Sequence, residues 1–433
     1  MKKVFIKYNP YKLETEITVN GKEPAENSRL RDYTFPGTRL QEWVEGLPQI
    51  LVDEFNDNDF DITFHGTMMD YEDLVEVCKQ AYKTGIMTVK LEHIPAKETA
   101  DKEILINEVF QKIQQGCFEE LKTPDIIDAF QKAKSGDFDV CVVATMSAGK
   151  STLINAMLGT KLLPSKQEAC TAIITKIKDT DSTGWRADVY DKDGHRKESY
   201  ENLDYSIMSR LNDDENVSEI KVHGNIPFVQ ADDMALVLID TPGPNNARNE
   251  EHRKVQESYL DSSSKTLVLY IMEGTFGSSD DDTLLEKVAK SMSVGGKQSK
   301  DRFIFVVNKM DDRKKEDGEI SATLGRVREY LENHGIYNPN IFPAAALPAL
   351  NIRMINSGAQ VDEDTLDETE VKVRKLNRSE SFHFENYSPL PSSLKNDKIG
   401  RMLDEACKNN DVNTQALIHT GVVSIETAIR QYG

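Results

Sequence analysis

Few cysteines, a shortage of positive charge and no long apolar run each close off a class of protein. The 433 residues hold five cysteines, Cys78, Cys117, Cys141, Cys170 and Cys407. They are odd in number and scattered, and no pair has metal-ligand or redox spacing, so neither a disulfide framework nor a cysteine metal centre is expected. Reduced thiols of a cytoplasmic protein are the reading that remains. No apolar stretch approaches the roughly eighteen residues of a membrane-crossing helix. The start, Met1 to Lys7, lacks a signal-peptide core, because Lys7 and Tyr8-Asn9-Pro10 interrupt it. Lys and Arg number 53 against 73 Asp and Glu, a net charge of −20. That balance argues against nucleic acid as a partner and against direct docking on an anionic membrane.

The length suggests two or three domains. Residues 1–95 read as a small α/β domain of pattern ββαβαβ. Val4–Tyr8 and Glu16–Gly21 alternate like strands, with Asn20-Gly21 as a turn signal. Arg39–Phe55 carries apolar residues at helical spacing, Asp61–Gly66 is a strand, Asp70–Thr84 a second helix and Thr88–Ile94 a strand. His65 and His93 have no second ligand at metal spacing. An interaction or regulatory module is the expected role. Residues 96–136 form a mostly helical connector. From residue 137 to 433, strands and helices alternate, which implies a mostly parallel, doubly wound sheet. Trp185–Asp191 and Glu219–Ile226 are further strand-like runs. Two polar stretches break the alternation. His195–Asp214 reads as an insertion, and Asn356–Lys375, rich in Asp and Glu, reads as a solvated loop. Asp311-Asp312-Arg313-Lys314-Lys315-Glu316, mixed in sign, also reads as a solvated loop.

The chemistry concentrates in four strand ends. Phe138–Ala144 is a buried strand, followed by Thr145-Met146-Ser147-Ala148-Gly149-Lys150-Ser151 and a helix through Thr152 to Gly159. Strand, tight loop and helix with Gly-Lys-Ser at the joint is the phosphate-binding loop (P-loop) pattern, although its leading glycine is Ala144. Backbone N–H groups at Ala148, Gly149 and Thr152 suit phosphates, Lys150 suits the β- and γ-phosphates, and the Ser151 hydroxyl suits Mg²⁺. Met234–Ile239 runs into Asp240-Thr241-Pro242-Gly243, where Asp240 can hold Mg²⁺ through water and Gly243 can offer its N–H to a γ-phosphate. Phe303–Val307 leads into Asn308-Lys309-Met310-Asp311. The Asp311 carboxylate can accept both the N1–H and the exocyclic amine of guanine, and would be left buried and unpaired by adenine. Ile341-Phe342-Pro343-Ala344-Ala345-Ala346 enters a small-residue loop, where the Ala346 N–H can meet the guanine carbonyl.

These motifs resemble those of GTPases of the dynamin superfamily, bacterial dynamin-like proteins in particular. The likeness covers about residues 137–433. It rests on Ser147-Ala148-Gly149-Lys150-Ser151, Leu163-Pro164 with Cys170-Thr171-Ala172-Ile173-Ile174-Thr175, Asp240 to Asn245, and Leu417 to Glu426. The resemblance implies hydrolysis of GTP to GDP and phosphate with Mg²⁺, held by Ser151 and Thr171 and supported by Asp240. Ser147, Lys150 and Thr171 take the catalytic roles, and Ser147 helps place extra positive charge, often a monovalent cation. Activity in the family rises when two GTPase domains face each other, so a homodimer is implied. Arg248, His252 and Arg253 can act across such an interface or be ordinary surface residues. The family departs from this sequence at Met146, where many dynamins have a water-positioning glutamine, and at Ala345, where many GTPases have serine. Pro244 after Gly243 cannot orient water either. The family continues into a helical stalk and a lipid-binding region, the route to a peripheral membrane. A truncated form is expected here ahead of a stalkless relative, because the last helix, Val423–Tyr432, belongs to a GTPase domain. A different reading stays open: a slow nucleotide-dependent switch that recruits a protein through residues 1–95. An ATP-using enzyme is disfavoured by Asp311.

Overall fold

Two separate sheets carry the chain in the computed structural model, which describes residues 2–10, 12–35, 40–96, 102–123, 126–127, 130, 137–144, 148–164, 173–229, 235–241, 259–260, 266–273, 279–293, 301–313, 318–391 and 394–432. The chain divides into one unit of Met1–Gln131 with Ser291–Asp301 and another of Lys132–Lys290 with Arg302–Gly433.

The first unit holds β1 (Lys2–Asn9), β2 (Glu14–Val19), α1 (Leu40–Trp43), α2 (Leu47–Phe55), β3 (Asp59–Gly66), α3 (Met68–Lys83), β4 (Thr88–Pro95) and α4 (Lys102–Gln114). The four strands stand in the order β2-β1-β3-β4, with β1 antiparallel to β2 and parallel to β3. The alternation seen in the sequence is the alternation of burial: Val4, Ile6 and Tyr8 point into the core with Phe60, Ile62 and Phe64. One expectation is corrected. The helix expected through Arg39–Phe55 breaks at Val44–Gly46 into a 3₁₀ turn, and Pro48 lies in the first turn of α2. A proline ring clashes with the carbonyl four residues earlier, so an unbroken helix cannot pass through Val44. Leu40, Val44, Leu47 and Leu51 still share one buried face.

The second unit is a nine-stranded sheet of order β13-β12-β11-β5-β10-β6-β9-β7-β8. Its strands are β5 (Asp137–Ala144), β6 (Ile174–Asp179), β7 (Arg186–Tyr190), β8 (Arg196–Tyr200), β9 (Glu219–Gly224), β10 (Ala235–Asp240), β11 (Leu267–Glu273), β12 (Phe303–Asn308) and β13 (Asn340–Pro343). Five pairings are parallel and three antiparallel, so the sheet is mostly parallel as expected. Its helices are α5 (Lys150–Leu158), α6 (Tyr205–Asn212), α7 (Ser279–Ser293, in this unit as far as Lys290), α8 (Ile320–Asn333), α9 (Ala346–Asn356), α10 (Glu363–Arg378), α11 (Arg401–Lys408), α12 (Val412–His419) and α13 (Val422–Tyr432). Strands β13, β12, β11, β5 and β10 are all parallel, so their C-terminal ends meet at one edge. Ligands of open α/β sheets bind at that edge.

Both polar stretches taken for irregular segments are ordered. Arg196–Tyr200 is the edge strand β8, and Tyr205–Asn212 is α6, capped by Asp204 and burying Met208 and Leu211. The acidic stretch is mostly α10. Asp362 caps it by accepting from the Thr365 N–H at 2.9 Å, Glu363 and Asp364 sit in its first turn, and Lys375 and Arg378 in its last. Acids at the start and bases at the end complement the helix dipole. Thr369, Val373 and Leu376 supply one buried face. High charge therefore marks an exposed helix face here, not absence of structure.

Candidate functional site

The β5 strand ends at Ala144, and α5 starts at Lys150 on Gly149, whose φ is +90°. That conformation belongs to glycine. A Cβ at Gly149 would also lie 2.5 Å from the Asn308 side-chain nitrogen. Asn308 is buried at the end of β12, donates to the Ala148 carbonyl at 2.8 Å and accepts from the Ala346 N–H at 3.0 Å. One side chain thus ties the P-loop to the loop after β13. That loop is fixed further by Ala344 N–H to Val307 O at 2.8 Å and Ala345 N–H to Thr420 O at 2.9 Å. The Ala346 N–H, expected to meet the guanine carbonyl, here donates to the Asn308 side chain at the start of α9.

Lys150 lies against Asp240 at 2.6 Å and also donates to the Thr241 carbonyl. Its side chain and that of Asp240 are each 16% exposed. Thr241 is anchored by its hydroxyl on the Val142 carbonyl at 2.9 Å, so the end of β10 is fixed to β5. The carboxylate expected to support a metal is thus paired with the lysine expected to meet phosphates. Ser151 and Thr152 stand in the first turn of α5, whose cap is a glycine with no side-chain bond. The unshielded N-terminus favours anionic groups. Thr145, Met146, Ser147, Cys170, Thr171, Gly243, Pro244, Arg248, His252 and Arg253 lie outside the described residues.

Lys309 adopts a left-handed backbone, φ +60°, and its ammonium pairs with Glu273 at 2.5 Å. Asp311 is only 4% exposed. Of the Asp311–Glu316 segment expected to be solvated, Asp312 is exposed, residues 314–316 lie outside the described residues, and α10 grips Asp311 and Arg313. Lys372 pairs with the Asp311 carboxylate and with Asp312 at 2.6 Å, and Lys375 donates to the Asp311 carbonyl at 2.6 Å and the Arg313 carbonyl at 3.1 Å. Burial pushes the Asp311 carboxyl above its ordinary value, and the Lys372 ammonium opposes that push. Burial pulls Lys372 down, but the hydrogen bonds and charges of Asp311 and Asp312 outweigh it and hold its pKa above the ordinary amine value. Sequence reasoning missed both lysines. Their signal was present in the cap at Asp362 and the helical spacing of Thr369, Val373 and Leu376.

Behind the P-loop, Arg353 of α9 makes a two-pronged ion pair with Glu426 of α13, at 2.5 and 2.8 Å, and donates to the Ala156 carbonyl of α5 at 2.6 Å. A second polar cluster joins His383, Glu385 and His419, with Glu385 and His419 2.8 Å apart. The two imidazoles lie face to face, centroids 3.6 Å apart and planes 1° apart. Ring-nitrogen lone pairs lie in the ring plane, so here they run parallel and do not converge on a point. The cluster is a buried His–carboxylate pair with a second ring stacked on it. Burial, with His419 alongside, keeps His383 below the ordinary imidazole value. Asp191, Asp193 and His195 form the other candidate group, which is a tight turn: the Asp191 carboxylate accepts both the Asp193 and His195 N–H groups.

Residues 140–310 match the sequence model of the dynamin family. Over 267 residues, or 60% of this chain, the sequence is 26% identical to an uncharacterised protein of the xynA 3′ region of Caldicellulosiruptor sp. strain Rt8B.4, covering 62% of that protein. It is 24% identical to the bacterial dynamin-like protein of Nostoc punctiforme over 55% of this chain and 36% of that one. The match therefore spans less than two thirds of either relative. A solved oligomerised bacterial dynamin pair, described as providing a mechanism for the long-range sensing and tethering of membranes, aligns over 80% of this chain and 55% of its own at 16% identity and a TM-score of 0.41.

Proposed function

We propose that this chain, whose residues 140–310 match the dynamin family, is a GTPase of the dynamin superfamily that binds GTP at the C-terminal edge of the nine-stranded sheet and hydrolyses it to GDP and phosphate with Mg²⁺. The observation that carries the reading is the convergence at that edge of Gly149-Lys150, Asp240, Asn308 and Asp311, from the ends of the three strands β5, β10 and β12, with Asn308 bonded to both flanking loops.

In this reading the N–H groups of Ala148, Gly149 and Thr152 and the Lys150 ammonium hold the phosphates. Lys150 leaves Asp240 as it takes up the β- and γ-phosphate oxygens. Asp240 is then free to support Mg²⁺ through water, with Ser151 and Thr171 as the ligating hydroxyls. When bound there, Mg²⁺ would supply charge neutralisation to the transferring phosphoryl group. Asp311 accepts the two guanine donors, Lys309 lies beside the base and Gly243 senses the γ-phosphate. Ser147 is assigned to the β–γ bridge, with a monovalent cation as the extra positive charge.

Hydrolysis also needs an oriented water. Met146 carries a thioether where dynamins use an amide, and Pro244 has no N–H. We therefore assign the missing part of the machinery to a second GTPase domain facing the first. Charge supplied by a partner is worth about 10³–10⁵ in rate. Among the described residues no helix is long and apolar enough to cross a membrane.

The test is specific activity at saturating GTP and Mg²⁺ across a wide range of protein concentration. A rate that rises with concentration supports assembly-stimulated turnover. A flat, high rate overturns the dimer assignment, and a flat rate near zero favours a nucleotide switch.

A further inference from the structure

The Asp311 carboxylate is 6% exposed, and Lys372 from α10 is the ammonium that meets it. We propose that Lys372 is a specificity-determining residue of this GTPase: it keeps Asp311 ionised and oriented, so that both carboxylate oxygens can accept from guanine. The inference rests on the assignment of Asp311 to the guanine base.

Guanine presents two adjacent donors, the N1–H and the exocyclic amine. Reading both requires two acceptors side by side. An ionised carboxylate offers about four lone-pair sites, whereas a protonated one turns an oxygen into a donor. Desolvation favours the protonated form. The carboxylate therefore needs a cation close by that does not occupy its whole acceptor edge. Lys372 meets this condition, because its ammonium sits at Oδ2 while also bonding Asp312 Oδ1 at 2.6 Å. Its position is fixed from one helical turn away, where Lys375 grips the Asp311 and Arg313 carbonyls. The charged groups around Asp311 are thus Lys372 and Lys375 from α10 and Asp312 from its own loop, while Lys309 is engaged with Glu273. The opposite assignment, in which Lys372 plugs the base pocket, has an opposite consequence: its removal would tighten binding.

The experiment compares the full chain with Lys372→Met and Lys372→Arg, titrating GDP and inosine diphosphate, which lacks the exocyclic amine, between pH 6 and pH 8. A hydrogen bond to a charged group is worth enough that Lys372→Met should weaken GDP by about tenfold to a hundredfold. The loss for inosine diphosphate should be smaller, so the ratio between the two falls. Acid should protonate Asp311 more readily in Lys372→Met, making its loss larger at pH 6 than at pH 8. Lys372→Arg should restore the ratio. Equal losses for the two nucleotides without a change of pH profile would reduce Lys372 to a structural prop and overturn the proposal. Unchanged or tighter GDP binding by Lys372→Met would overturn it too. A wild type that fails to prefer GDP over ADP would instead overturn the assignment of Asp311 itself.

Discussion

At the phosphate end of the site, Lys150 is paired with Asp240 and Thr241, at the end of a neighbouring strand. At the guanine end, Asp311 is paired with Lys372, 61 residues along the chain on a helix that carries no nucleotide motif. The first pair is 16% exposed on both sides; in the second the carboxylate is 6% exposed and the lysine 28%. The difference is one of exchange against preorganisation. A partly hydrated pair is cheap to open, so Lys150 can trade a carboxylate for phosphate oxygens. A carboxylate as buried as Asp311 is costly to leave without its cation, because its charge is left desolvated. In the proposed function the phosphates bring their own negative charge to Lys150, while a neutral base brings none to Asp311. The guanine end must therefore hold its carboxylate ready before the ligand arrives.

The largest effect expected from this contrast is on base choice. Asp311→Ala should collapse the preference for GTP over ATP, which a site built around a hydrogen-bonded group can bring to about 10⁴-fold. Competition titration of the two nucleotides on wild type and variant gives the number. A preference that survives in Asp311→Ala would remove the guanine end from the comparison altogether.

Next comes Lys150→Ala, which should lower GTP hydrolysis by about 10²–10³-fold, the scale of losing one electrostatic contact to a developing charge. Its melting temperature should stay near that of the wild type, because Asp240 can hydrate when its partner goes. Phosphate release and thermal unfolding measured together separate the two. Loss of rate through unfolding would mean that the Lys150–Asp240 pair is structural, and the contrast in exchangeability would fail.

That contrast also explains what could be read from the sequence. Strand ends β5, β10 and β12 were legible because buried apolar runs stop at Ala144, Asp240 and Asn308, where chemistry-bearing residues begin. The link from Asn308 to Ala148 and Ala346 was not, because motif spacing says nothing of where an amide side chain points. The helix α10 was missed for a different reason. Its buried face consists of Thr369, Val373 and Leu376, with the charges of a solvated surface between them. Counting acids favoured a loop, whereas the Asp362 cap and the 3.6-residue spacing favoured a helix. Lys372 and Lys375 followed it out of view. In the first unit, the turn at Val44–Gly46 was legible in Pro48 but masked by a continuous apolar stripe.

A smaller effect on nucleotide binding, with a large one on stability, is expected at the support of the phosphate end. Arg353→Met leaves Glu426 buried without its two-pronged partner, a change that costs about 3–5 kcal/mol. Thermal unfolding should shift down by several degrees, while GDP affinity at a temperature where the variant is folded stays within about threefold, a difference of well under 1 kcal/mol. Adding Glu426→Leu should recover much of the stability by removing the orphaned charge. If GDP affinity falls as steeply as stability, the P-loop depends on the packing of α5 against α9 and α13, and the phosphate end is as preorganised as the guanine end.

The smallest expected effect is none. The residues assigned to GTP lie at or after Ser147, and the described ones among them belong to the second unit. The first unit has its own core of Val4, Ile6, Phe60, Ile62 and Phe64 under a separate four-stranded sheet. A chain beginning at Lys97 should therefore bind GDP with a dissociation constant within about threefold of the full chain, a difference below 1 kcal/mol. The same shortened chain tests the role left to residues 1–95. If GDP affinity is unchanged but turnover no longer rises with concentration, those residues serve assembly. If affinity drops in a chain that melts cooperatively, residues 1–95 shape one end of the site. Measuring GDP and inosine diphosphate on the shortened chain tells which end, since only the guanine end responds to the missing amine.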